Sequence, residues 1–169
     1  KSVCYQVPAL IFDGVTIVVS PLISLMKDQV GSLVQSGVAA AYINSSLSPN
    51  QYAKVLKNTV AGKYKIIYVA PERLATPEFL DVCEKVNISL IAVDEAHCVS
   101  QWGQDFRPSY LKITEFISSL SRRPIVGAFT ATATDEVKAD IARILQLHNP
   151  FMITTGFDRP NLFFGVEKP

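Results

Sequence analysis

Cysteine is scarce in this chain. Cys4, Cys83 and Cys98 lie far apart in 169 residues, with no CxxC pair. They fit reduced thiols in a cytosolic compartment better than a disulfide framework or a zinc site. Charge is sparse too, at 18% of residues, and the net charge of +1 leaves no bulk basic field to advertise a nucleic-acid partner. Any such contact has to come from local groups. No apolar run reaches the roughly 20 residues that cross a bilayer, and the N-terminus lacks the pattern of a signal peptide, so no membrane partner is expected. Internal repeats and low-complexity stretches are absent as well. The first residue is Lys1 rather than Met, and the sequence reads as a piece of something longer.

Apolar residues, by contrast, make up 49% of the chain, and its length suits one domain with a sizeable core. Apolar, β-branched runs of strand length occur at Val15–Ser20, Val38–Ile43, Lys65–Ala70, Leu90–Val93 and Ile125–Phe129, with a shorter one at Phe151–Thr154. Between them fall helical patterns: Leu22 to Ser36-Gly37, Pro49 to near Gly62, Pro77–Val86, Tyr110–Leu120, and a last helix opened by Thr134. Ser48-Pro49 is a cap followed by proline at the first helical position. Strands alternating with helices of ten or more residues predict parallel βαβ units in a three-layer αβα sandwich of the α/β class, with a mostly parallel sheet.

The chemistry gathers in Leu90 to Tyr110, LIAVDEAHCVSQWGQDFRPSY. Four apolar residues form a strand that suits burial on both faces, and it delivers Asp94 and Glu95 at its carboxyl end, where open α/β sheets place their crevice. Asp94 suits a water-mediated contact to Mg²⁺, a hard ion that prefers oxygen and keeps several waters. Glu95 is placed to polarise a water for attack on a phosphate. A strand-end turn with two solvated acids and a surface His97 is the plainer alternative. The run that follows lacks periodicity and holds the only Trp. Trp102, Phe106 and Arg107 suit stacking on unpaired bases with a guanidinium on phosphate; equally, the two aromatics suit an inward, core position.

Elsewhere the residues leave two readings each. Ser20 and Ser24 near a helix start suit phosphate contact or simple capping, and capping is the better fit. Arg73 suits a phosphate or a surface pair with Glu72 or Glu78. Thr130 and Thr132, in a run of small hydroxyl residues at a strand end, suit close approach between loops, while Thr134 followed by Asp135 and Glu136 makes a strong helix cap.

The DEAH box and the aromatic-rich loop together resemble those of RecQ-family DNA helicases. KSVCYQVPAL, SPLISLMKDQV, YVAPERL, GAFTATAT and GFDRPNLFFGV resemble further motifs of that family, in the expected order over nearly the whole chain. Three departures stand out: Gln104 where the family usually has His, Phe129 where Leu is usual, and no glycine-rich turn before Lys1. The resemblance implies a RecA-like P-loop NTPase domain over residues 1–155, the first of two motor lobes, with 156–169 leading to a second RecA-like domain. A strand expected before Lys1 leaves an unpaired gap or edge in the sheet. It implies ATP and Mg²⁺ as cofactors, with Lys1 and Ser2 on phosphates and metal, and Asp94, Glu95 and His97 as catalytic residues. Ser20, Ser24, Arg73, Gln101, Trp102, Phe106, Arg107, Thr130 and Thr132 then serve nucleic-acid contact and coupling. Single-stranded and partly duplex DNA is the implied partner of a 3′–5′ helicase. The implied compartment is a bacterial cytoplasm, at the nucleoid, in preference to a eukaryotic nucleus. The isolated chain is expected to be inactive. An RNA helicase of the same superfamily and a non-hydrolysing nucleic-acid-binding domain are the alternatives.

Overall fold

A computed structural model describes residues 1–103, 105–155, 162, 163 and 165. Gln104 and nearly all of GFDRPNLFFGV lie outside those residues. Five strands form one sheet: β1 (Val15–Val19), β2 (Ala40–Ile43), β3 (Ile66–Val69), β4 (Ile88–Val93) and β5 (Ile125–Ala128). Their order is β2-β3-β1-β4-β5, and all four pairings are parallel. Parallel sheets survive only when helices cover both faces, which is why β1 and β3 are apolar or β-branched throughout and buried at every position.

Six helices provide that cover. α1 (Val3–Ile11) and α2 (Ile23–Gln35) pack on one face, where Tyr5, Ala9, Met26, Val30 and Leu33 meet Val18, Tyr68 and Ala92. α3 (Pro49–Val60), α4 (Pro77–Lys85), α5 (Lys112–Ser119) and α6 (Asp135–Ile144) pack on the other, around Ile17, Ile67, Val69, Ile91 and Val93. The result is a three-layer αβα sandwich. Local signals set the helix ends. Ser48 and Gln51 form a complete capping box on α3, Thr134 caps α6 through the Val137 amide, and Gly37 closes α2 at φ +80°.

Three expectations change. Phe151–Thr154 is not a strand: it forms no ladder with the sheet, and Phe151 is 88% exposed. A short apolar run becomes a strand only where a neighbouring edge is close enough to accept its hydrogen bonds, and a groove keeps this run off the open edge of β5. The sheet itself has no gap among the described strands; the open position falls at its edge, along β5, where Ile125 is exposed. A groove of about 500 Å³ separates that edge from residues 150–155. Finally, Tyr110–Leu120 divides into a 3₁₀ turn (Pro108–Leu111) and α5.

No described helix is long and apolar enough to cross a membrane. Cys83 and Cys98 are buried and Cys4 is exposed. Burial pushes the Cys83 thiol up to about 12 and that of Cys98 up to about 11, leaving almost no thiolate near neutrality. Ellman's reagent is therefore expected to titrate one thiol, Cys4, in the native chain and all three after denaturation. Rapid native reaction of all three would contradict the packing.

Candidate functional site: a crevice at the carboxyl ends of the strands

The ends of β1, β4 and β5 are stitched together by backbone bonds. The Asp94 amide donates to the Val19 carbonyl at 2.8 Å, the Phe129 amide to Val93 at 2.9 Å, and the Ala96 amide back to Phe129 at 2.9 Å. The chain thus leaves β4 between Ser20 and Thr130, with Asp94 and Glu95 at the floor.

Asp94 is buried, its side chain 3% exposed. Its Oδ1 faces the Lys1 ammonium at 3.2 Å and accepts the Glu95 amide at 3.0 Å. Its Oδ2 lies 3.5 Å from the Tyr5 hydroxyl, and its backbone carbonyl accepts the Tyr110 hydroxyl at 2.9 Å. Desolvation, then the neighbouring Tyr68 and Asp94, raises the Tyr5 phenol far above its usual range; burial does the same to Tyr110. Both remain neutral donors. Lys1 also pairs with Glu95 Oε1. Glu95 sits in the left-handed region at φ 47°, ψ 45°, a strained conformation for a residue with a side chain. That twist turns the following Ala96 amide onto the Phe129 carbonyl.

From Glu95 the contacts run outward. His97 Nδ1 lies 3.5 Å from Glu95 Oε2 and 2.9 Å from Thr130 Oγ1, and the Thr130 hydroxyl lies 3.1 Å from the Thr132 carbonyl. The structure therefore brings Lys1, Asp94, Glu95, His97, Thr130 and Thr132 into one connected group. The reading of solvated acids on a bare turn does not fit that geometry.

The loop that follows is held against this group. A Cβ on Gly103 would overlap the His97 carbonyl oxygen and lie 3.1 Å from that of Ser100, so only glycine allows this approach. Arg107 binds Asp105 through Nε at 3.0 Å and Nη2 at 2.7 Å, and its Nη1 donates to the Pro21 carbonyl at 3.3 Å. That pairing raises the Arg107 pKa and lowers that of Asp105. Trp102 is 81% exposed, which excludes the core position for it, Gln101 is exposed beside it, and Phe106 is half-buried.

Other expectations are redirected. Ser20 is 1% exposed and its hydroxyl has no partner, so it reaches no phosphate from this position. Neither Ser20 nor Ser24 caps α2, whose N-cap is Leu22 with no side-chain bond; Ser24 is exposed on the first turn. Arg73 lies with its guanidinium carbon 5.5 Å from the centre of the Tyr52 ring rather than against Glu72 or Glu78, and its Nε is buried without a partner. Among the described residues no hydrogen bond or ion pair joins Ser24 or Arg73 to the Lys1–Thr130 group.

Ser2 precedes α1 without capping it, which leaves its hydroxyl available. Among the described residues no group of three or more His, Cys, Asp or Glu could hold a metal ion. One carboxylate and one hydroxyl, both hard oxygen donors, instead fit a Mg²⁺ that keeps most of its waters. Tyr5, Tyr110, Gly103 and Asp105 were not singled out from the sequence. The apolar spacing of Tyr5 and Ala9 marks only a buried helix face, and the contacts of the others cross elements.

Comparison with known proteins agrees with this arrangement. The family described as DEAD/DEAH box helicase matches residues 1–140. The chain is 50% identical over 168 residues to an ATP-dependent DNA helicase RecQ of Bacillus subtilis, covering 99% of this chain and 28% of that protein. It is 46% identical over 169 residues to an ATP-dependent DNA helicase RecQ of Pasteurella multocida, covering 99% and 27%. The chain thus spans little more than a quarter of these relatives. The crystal structure of DUF1998 helicase MrfA bound to DNA shares the fold, with TM-score 0.65 at 18% identity over 85% of this chain and 22% of that one. The sandwich is RecA-like, and the chain belongs to the DEAD/DEAH box helicase family, on its RecQ branch.

Proposed function

We propose that this chain is the first motor lobe of an ATP-dependent DNA helicase that moves 3′ to 5′ along single-stranded DNA and unwinds duplexes in repair and recombination. Residues 1–155 form the lobe, and 156–169 lead towards a second RecA-like domain. The observation that carries the reading is the continuous path Lys1–Glu95–His97–Thr130, which connects the two acids to the His97 carbonyl on which Gly103 and the loop of exposed Trp102 fold. Such a path suits a motor, because what happens at a phosphate has to be felt where the polymer lies. A bacterial cytoplasm is the compartment that fits.

Each residue has a task within that reading. Lys1 balances Asp94 and Glu95 in the absence of nucleotide and turns to the phosphates when ATP enters. Ser2 and Asp94 would hold Mg²⁺, both being hard oxygen donors. Bound Mg²⁺ supplies the positive charge that phosphoryl transfer demands. Glu95 orients the attacking water and takes its proton, with its backbone fixed by the Asp94 contact. His97 reports the state of Glu95 to Thr130 and, through the chain it anchors, to the loop. Trp102 and Phe106 stack on bases. Gln101, Ser24 and Arg73 line the strand's path, and Thr132 follows Thr130. Arg107 meets phosphate only by sharing or leaving Asp105, so strand binding and loop shape are linked. Ser20 acts from the interior and shapes the junction rather than touching DNA.

Three outcomes follow. The isolated chain should hydrolyse ATP negligibly, because the arginine finger, worth on the order of 10³-fold or more, comes from the other lobe; turnover near that of a whole helicase defeats the lobe assignment. In the full-length helicase, Glu95→Gln should cut turnover by roughly 10²–10⁴-fold while ATP still binds. Retained turnover would make the domain a nucleic-acid binder without hydrolysis. Gly103→Ala forces the loop off the His97 carbonyl and should lower DNA-stimulated turnover by about tenfold. The same assay with single-stranded RNA discriminates the polymers: stronger stimulation by RNA than by DNA would favour the RNA helicase.

A further inference from the structure

Beside the Ala96–Phe129 backbone bond, two side-chain contacts join the segment after β4 to the segment after β5. The first joint is His97 to Thr130. The second lies further along both: Ser100 Oγ donates to Asp140 Oδ2 at 2.7 Å. Ser100 is fully buried, and its oxygen also accepts the Trp102 amide at 3.2 Å. One hydroxyl thus donates to α6 and accepts from the base of the aromatic loop, using its one donor and one of its two acceptor positions.

Asp140 is suited to hold that bond firmly. Its side chain is 17% exposed, and Oδ1 takes Arg143 at 2.6 Å from the next turn of the helix. Arg143, and after it Ser100, keeps the carboxyl below its usual pKa, so the acceptor is ionised near neutrality. Hydrogen bonds to ionised acceptors are the stronger kind. Asp140 stands on the same helix that Thr134 caps, and Thr134 ends the Thr130–Thr134 run. A helix is stiff over two turns, so Asp140 and the capping Thr134, where the Thr run ends, are displaced together.

We propose that Asp140 is a positioning residue which, through Ser100, locks the base of the Trp102 loop to α6, so that DNA held on the loop and the His97–Thr130 contact respond as one body. The inference rests on the motor reading. Asp140 touches neither nucleotide nor DNA in it.

The test uses the full-length helicase with Asp140→Ala, Asp140→Asn, Ser100→Ala, Arg143→Ala and the Ser100→Ala/Asp140→Ala double variant. ATP turnover is measured without DNA and with saturating single-stranded oligothymidylate. Asp140→Ala and Ser100→Ala should each lower the stimulated rate by about tenfold while leaving the unstimulated rate and the KM for ATP within about twofold. The double variant should be no worse than either single one, because both remove the same bond. Asp140→Asn should keep most of the stimulation, its amide oxygen still accepting, and Arg143→Ala should keep all of it. A second readout needs no turnover: Trp102 is the only Trp in this chain, so its fluorescence anisotropy in the chain itself should drop in Asp140→Ala and Ser100→Ala but not in Arg143→Ala. Full stimulation in Asp140→Ala, equal losses with and without DNA, or unchanged anisotropy overturns the proposal. If Asp140→Ala fails to fold, Ser100→Ala decides, since it cuts the bond from the loop side. Absence of DNA stimulation in the unmodified helicase would defeat the motor reading instead, and the anisotropy then still decides whether Asp140 holds the loop.

Discussion

A buried carboxylate at the end of β4 sets the terms for everything around it. Removing a charge from water costs several kcal/mol unless partners replace the solvent. Asp94 meets that demand with the Lys1 ammonium, the Glu95 amide and a long contact from Tyr5. Two of these partners, Lys1 and Tyr5, come from residues 1–5, so the requirement ties that segment to the end of β4. The Glu95 backbone accepts left-handed strain, which costs on the order of 1–3 kcal/mol, and the following Ala96 amide thereby reaches the Phe129 carbonyl just beyond β5. Tyr110 secures the same turn from beneath. Losing one partner would leave a buried charge under-compensated.

The sheet is the platform for that cluster. β1 lies at its centre between β3 and β4, buried at every position, and it fixes the height at which Asp94 emerges through the Val19 carbonyl. Towards β5 the platform is less complete. The strand's outer side is open, the adjoining groove faces exposed Met152 and Ile153, and α1 presents Val3, Val7, Leu10 and Ile11 outward. The polar chemistry thus sits near one margin of the sheet and the best-packed apolar core near the other.

The aromatic loop owes its shape to a few bonds rather than to a repeating pattern. Gly103 lets the backbone fold onto the His97 carbonyl, Ser100 closes a short turn beneath it, and Arg107 ties its far end to Pro21. An indole exposed to 81% gains little from the protein itself. Its usefulness lies in what it meets from outside, and base stacking supplies a partner of the right shape.

How much of this was visible in the residues depends on the range over which each is constrained. Strands β1 to β5 and helices α2 to α6 were legible, because apolar runs, alternation and caps such as Ser48-Pro49 and Thr134 act within a few residues; α1, with Pro8 inside it, was not among the helical patterns read from the residues. That Lys1 belongs to one site with Asp94 and Glu95 was legible only through resemblance, and its direct pairing with them came from the structure. The tertiary structure alone decided that Trp102 faces solvent, that Ser20 is interior, that Arg73 stacks on Tyr52, and that residues 151–155 find no strand partner. Those outcomes turn on which surfaces meet across the sheet, and a hydrogen bond such as Ser100 to Asp140, forty positions apart, leaves no periodic trace in a linear sequence. Local chemistry wrote the elements into the chain, whereas the long-range contacts that make them a site exist only once the core has closed.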